Sequence, residues 1–224
     1  MSGHPRRVRP IRIAVLTVAI GAAAIVAAPI AASGSAHGSA VKTKSFSLFP
    51  NKAFVACVRG TGGHPTAKAT VTRGALNDTL TLQLKGFKPN LGFDLFTVER
   101  SNQTATGGPV SGFTNFGLAW YQSDIETNAD GEANVTIETI LLDQIFGFDP
   151  DVALTPHNTF NVGFWFDSVA EAQPCSMTTL TATPFNGEHN AGPVAFITRP
   201  DATTGLGPLC TQPVNNGGVF SCHP

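Results

Sequence analysis

The sequence predicts an all-β protein, a single antiparallel β-sandwich of about eight or nine strands with short helical turns and a disulfide-closed C-terminal tail. Three observations predict it. Apolar and polar side chains alternate with period two in several short segments. Turn-forming residues stand between those segments, and the 224 residues include 23 Gly and 16 Pro. Stretches with helical spacing are short and few, which leaves a layered β architecture.

The elements follow in order. Phe46–Phe49, Phe54–Arg59 and Ala67–Arg73 read as short strands. In Asp78–Lys85, Leu80, Leu82 and Leu84 share one face while Thr79, Thr81, Gln83 and Lys85 share the other, the mark of a half-buried strand. Gly86 to Asn90, with Pro89, turns the chain into a strand over Phe93–Val98. Leu118–Ile125 and Ala133–Ile140 flank Asp130-Gly131, so they read as a hairpin. Thr159–Asp167 puts Phe160, Val162, Phe164 and Phe166 on one face, and Pro193–Thr198 is a last strand. Leu141–Phe146 and Ser168–Ala172 have room for one or two helical turns.

The first forty residues read as an address. Arg6, Arg7, Arg9 and Arg12 precede an apolar run from Ile13 to Ala28 that only Thr17 interrupts, and small residues follow from Ala31 to Ala36. These are the three parts of a secretory signal peptide, here 1–32, with cleavage somewhere in 32–40. The other reading is an uncleaved N-terminal anchor with the domain facing outside. Residues 33–44 form a flexible tether, and 45–224 form one domain whose tail is 200–224.

Formal net charge is −1, but from Val41 onward there are ten basic and fifteen acidic residues, a balance of −5. A mildly acidic domain argues against nucleic acid as a partner. After signal cleavage no membrane partner is expected either. Cys57, Cys175, Cys210 and Cys222 all follow the address, and in an oxidising compartment four cysteines imply two disulfides among three connectivities. The favoured pairs are Cys57–Cys175 and Cys210–Cys222, the second closing a Gly/Asn/Pro-rich loop.

Several stretches have the residue types that carry chemistry. Asp124, Glu126, Asn128, Asp130 and Glu132 recur at every second position, as oxygens do in a calcium loop. Counting from Glu126, however, the twelfth position is Ile137 where a bidentate Glu is needed, so an acidic hairpin face is the preferred reading. Asn186, Glu188, His189 and Asn190 concentrate a carboxylate, an imidazole and two amides in a Gly/Pro-bounded loop. That makes them candidate ligand-binding residues, and Glu188 and His189, with His157, candidate metal ligands. Asp149, Asp151 or Asp167 would complete such a metal set. Trp120 and Trp165 are candidates for stacking on a ligand, although on strands each must face away from its aromatic neighbours.

Catalytic templates are missing: there is no Gly-x-Ser-x-Gly, His-Glu-x-x-His, P-loop or Gly-x-Gly-x-x-Gly. No cofactor is expected, a divalent metal ion being the alternative. No catalytic residue is assigned, and among the acids no pair stands out for glycoside hydrolysis.

Gly117–Thr127 (GLAWYQSDIET), Gly163–Ser168 and Thr183–Gly192 (TPFNGEHNAG) resemble a family of secreted β-sandwich proteins of actinobacteria and related bacteria, over roughly residues 75–210. The resemblance implies export but no activity. A looser resemblance, in Leu80–Gly86, Pro89-Asn90 and Thr127–Gly131, is to superoxide dismutase-like and chordin-type sandwiches. It implies an immunoglobulin-like or superoxide dismutase-like fold without dismutase chemistry. The domain's histidines (His64, His157, His189 and His223) are far apart and include no His-x-His pair. The functional expectation is an exported, non-catalytic β-sandwich that binds an extracellular ligand or cell-envelope component. A metal-binding protein or metal-dependent enzyme using Glu188 and His189 is the alternative.

Overall fold

Residues that alternate in polarity do form strands. The computed structural model describes residues 43–74, 77–139, 159–182, 191–210, 214–216 and 219–221, all within Ser39–Pro224, the larger compact unit of the chain. Eight strands carry the fold: β1 (Thr43–Pro50), β2 (Thr66–Thr72), β3 (Asp78–Lys85), β4 (Gly92–Val98), β5 (Ala119–Glu126), β6 (Ala133–Thr139), β7 (Thr159–Phe166) and β8 (Val194–Ile197). Along β3, Leu80, Leu82 and Leu84 are buried and the intervening residues are not, so the period-two expectation holds there residue by residue.

Neighbouring strands pair antiparallel in the order β5-β4-β7-β8-β1-β2-β3-β6. Strand β1 divides its partners: Thr43–Leu48 pair with β2, while Phe49 and Pro50 pair with β8. The sheet therefore turns over at β1 without a break, and its ends β5 and β6 come close to each other. The architecture is one nearly closed, barrel-like antiparallel sheet. Three short strands complete it: β9 (Leu209–Cys210), which pairs with β7, and a hairpin of β10 (Val214–Asn216) and β11 (Val219–Ser221).

Inside, Leu80, Leu82, Leu84, Phe87, Phe93, Phe164, Phe166 and Phe196 form the main core. Phe164 and Phe196 stack at 5.2 Å between centroids, and Phe93 meets Phe164 edge-on at 5.0 Å. Every residue of β7 is buried because both of its faces are covered. Its outer face carries Trp165, packed in a second cluster with Phe96, Val98, Ala119, Val194 and Ile197. The long β4–β5 connection roofs this cluster with Phe116, whose ring meets Trp165 at 5.0 Å. That connection is anchored by buried Glu99, which accepts from Arg100 at 3.0 Å and from the Leu118 N–H at 3.1 Å.

Two expectations need correction. Phe54–Arg59 is not a strand: it contains the helical turn α1 (Val55–Val58), and only Arg59 makes a bridge, to Phe87. The reason is the spacing of its apolar residues: Cys57 and Val58, three and four residues after Phe54, turn to the core together. Nor do β5 and β6 form a hairpin ladder, although Asp130-Gly131 does make the turn between them. Thr127 exchanges backbone hydrogen bonds with Asn90 and Leu91, and Gly131 accepts from Phe87 at 3.1 Å. The β3–β4 connection thus takes the backbone groups that would start the ladder, and the two strands go to opposite ends of the sheet. The helical turn over Ser168–Ala172 is present as α2 (Val169–Ala172), continued by a 3₁₀ turn at Gln173–Cys175. The turn expected over Leu141–Phe146 lies outside the described residues.

Gly131 has φ +72°, and a Cβ there would overlap the Phe87 carbonyl oxygen. Gly131→Ala is expected to cost about 2–4 kcal/mol, combining the left-handed penalty with the forced backbone shift. Gly112 has φ +67° with no atom near its Cβ position, so Gly112→Ala should cost only about 1–2 kcal/mol. Urea unfolding of the two variants measures the difference, and equal losses would refute the steric argument.

Candidate functional site

Strands β4 and β5 build the most distinctive surface. Their register runs Phe93↔Ile125, Asp94↔Asp124 and Leu95↔Ser123, then shifts, so that Phe96 stands opposite Tyr121. Gln122 is the extra residue of this β-bulge. Without the bulge, Tyr121 and Asp124 would face opposite sides. With it, Asp94, Phe96, Tyr121 and Asp124 all lie on the outward face, while Phe93, Leu95 and Ile125 enter the core.

Tyr121 is 43% exposed, unusual for a large apolar ring among the described residues. Its hydroxyl donates to Asp124 Oδ1 at 2.6 Å, and its ring meets that of Phe96 at 5.6 Å with planes 73° apart. In that edge-to-face geometry Phe96 covers at most one face of the tyrosine. Partial burial, the hydrogen bond to Asp124 and the negative charges of Asp124 and buried Asp94 all hold the phenol proton, raising the pKa well above its ordinary 10.0.

The expected consequence is measurable because Tyr121 is the chain's only tyrosine. Its phenolate ultraviolet absorbance should not develop at pH 10 in the folded protein, whereas Asp124→Asn should bring the transition down. Since the folded state holds the proton more tightly than the unfolded chain, the contribution of Tyr121 to stability should be flat below pH 10 and fall as pH rises beyond it. A folded-state transition at pH 10 would contradict the geometry.

The sequence-predicted site residues divide into three groups. Asn186, Glu188, His189, Asn190, His157, Asp149 and Asp151 lie outside the described residues. Trp165 is fully buried in the second cluster and offers no stacking surface, a correction to its candidacy as a ligand platform. Trp120 is partly buried, beside Thr97 and on the opposite side of β5 from Tyr121. The aromatic on this strand that does face outward is Tyr121.

Asp167 follows β7, and its backbone N–H donates to Gly92 O at 3.1 Å. Close by, Glu171 Oε1 accepts from Gly92 N–H at 3.1 Å. Burial raises the Glu171 pKa; the Gly92 hydrogen bond opposes that shift and the charge of Asp167 adds to it. Gly192 donates to Phe166 O at 2.7 Å, so the first described residues after 183–190 run beside this same end of β7.

At the turn after β5, Asn128 Oδ1 accepts the backbone N–H groups of Asp130 and Glu132 at 2.9 and 3.0 Å. It therefore caps the turn as a structural residue. Among the described residues no group of three or more His, Cys, Asp or Glu side chains is placed to hold a metal ion. A polar hollow of about 360 Å³ does open beside this turn, between Gln83, Lys85, Glu126, Glu132 and Asn134. Sequence reading did not find it. Gln83 and Asn134 are 51 positions apart, and only the β3–β6 register places them side by side.

No protein-family model, curated protein or solved structure matches the chain.

Proposed function

We propose that the protein is an exported, non-catalytic β-domain that binds a ligand or partner at or outside the cell surface. The observation that carries the binding reading is Tyr121, a large ring left open to solvent yet fixed by Asp124 and Phe96. A preordered aromatic loses little entropy on binding. Export is supported by the signal-like residues 1–32 and by the Cys57–Cys175 disulfide, a bond that a reducing cytosol does not sustain. Among the described residues no helix is long and apolar enough to cross a membrane.

The same proposal includes the finer fold and the second disulfide. Around the nearly closed sheet the succession β7-β4-β5 is followed, across the seam where no ladder forms, by β6, an order that resembles the Greek key of superoxide dismutase-like sandwiches. The β10–β11 hairpin pairs Val214 with Ser221, residues that stand in sequence between Cys210 and Cys222, and this supports the second pairing.

Protein recovered from the culture medium should begin within residues 33–41, carry no free thiol before reduction, and bind an envelope or extracellular component saturably. Turnover of ester, glycoside or peptide substrates at enzymatic rates would refute the non-catalytic reading. Stoichiometric metal in tag-free protein would move the assignment to Glu188 and His189.

A further inference from the structure

We propose that the outward face of β5 and the adjoining hollow form a row of subsites for an amino-sugar oligomer with free ammonium groups. The inference deepens the binding reading above and rests on it. Tyr121, Asp124 and Glu126 occupy one face of β5, because the bulge at Gln122 turns Tyr121 to the side of the acids. This row is roughly 15 Å long at the usual rise per residue, room for about two or three pyranose rings. Its far end enters the hollow of about 360 Å³ at the seam where β5 and β6 approach without pairing.

The side chains along the row match such a ligand group by group. The open face of Tyr121 suits the C–H face of a pyranose, and Asp124 holds the ring still. Gln83 and Asn134 are exposed register partners without a side-chain hydrogen bond among the described residues. Each amide offers donors and an acceptor to sugar hydroxyls. Charge selects the cationic sugar. Asp124, Glu126 and Glu132 face this surface; Lys85 stands 3.9 Å from Glu132, a loose and exposed pair, and Lys68, the β2 register partner of Gln83, stands one strand further from the acids. Glu126 has no ion pair at all among the described residues. A basic peptide would find the charge but no apolar groove for its side chains, since Ile125 and Leu84 are turned into the core.

The test is titration of the full mature protein with a glucosamine tetramer, its N-acetylated neutral counterpart and an oligolysine of equal charge, followed by calorimetry and amide chemical shifts. The glucosamine oligomer should bind saturably, shift amides of residues 83–85 and 121–134, and weaken as salt rises. Tyr121→Ala should weaken it roughly tenfold or more, and Glu126→Gln or Asn134→Ala each about three- to tenfold. Glu126 and Asn134 are exposed, so their variants should keep the wild-type melting temperature, and Tyr121→Ala should remain folded with the melting temperature lowered by only a few degrees. The assignment is overturned by absence of saturable binding, by shifts confined to another surface, or by equal affinity for either comparison ligand. An envelope component that binds while all three probes fail would overturn the sugar assignment alone and leave the binding-domain reading standing.

Discussion

Replacing Cys57 and Cys175 together by serine should lower the melting temperature by on the order of 10 °C. The bond closes a loop of 118 residues, for which the chain-entropy treatment gives about 4–5 kcal/mol and measured losses run about 2–5 kcal/mol. The folded structure supplies a second reason. Cys57 lies in α1 and Cys175 ends the 3₁₀ turn after α2, and each of these elements has only three or four residues. Neither joins a strand ladder, and helices that short do not hold themselves together in water. Without the bond they keep packing, including Cys57 and Ala172 against the main core, and a few hydrogen bonds such as those from Lys88 N–H to Val58 O and from Gly92 N–H to Glu171 Oε1. Thermal unfolding followed by circular dichroism, with the wild type run with and without reductant, measures the effect. A change within about 2 °C would show that the cross-link is thermodynamically idle.

Phe164→Ala should destabilise the domain by about 3–5 kcal/mol. The ring is fully buried and lies between Phe93 at 5.0 Å and Phe196 at 5.2 Å, with Phe87 at 6.1 Å. Strands β4 and β8 flank β7, and Phe87 comes from the connection after β3. One side chain thus ties three neighbouring strands to the β3–β4 connection, and its removal leaves a cavity that these four elements would have to close. Phe164→Leu, which keeps most of the volume, should cost less than half as much. Tyr121→Ala is the contrast, because a half-exposed ring that meets the second cluster at Phe96 should cost only about 1 kcal/mol. Urea unfolding of the three variants orders them, and a Phe164→Ala loss below that of Phe164→Leu would contradict this description of the core.

Residues on β7 show which parts of the site were legible and why. Alternation alone required Trp165 to face away from Phe164 and Phe166, and it does. Whether that opposite face was surface or a second core depended on the β4–β5 connection, which brings Phe116 over it from nearly fifty positions away. On β5 the same rule required Trp120 and Tyr121 to part company. The sequence offered Trp120 rather than Tyr121 as a candidate ligand-facing ring, because nothing in it marks the bulge at Gln122 that decides which residues share a face with Asp124.

By itself, then, the sequence determined the antiparallel β class, the location and inward face of most strands and the helical turn at Ser168–Ala172, and it favoured, among three connectivities, the Cys57–Cys175 pairing that the structure shows. Tertiary structure alone decided that Phe54–Arg59 coils, that β5 and β6 separate despite their Asp-Gly turn, that the sheet turns over at β1, and that Gln83 and Asn134 border one hollow. The division has a physical cause. Which face of a strand is apolar is recorded in its own residues, because every second side chain meets the same environment. Which strand lies next to which is a competition between backbone groups far apart in the chain. At Thr127 and Gly131 the β3–β4 connection won that competition.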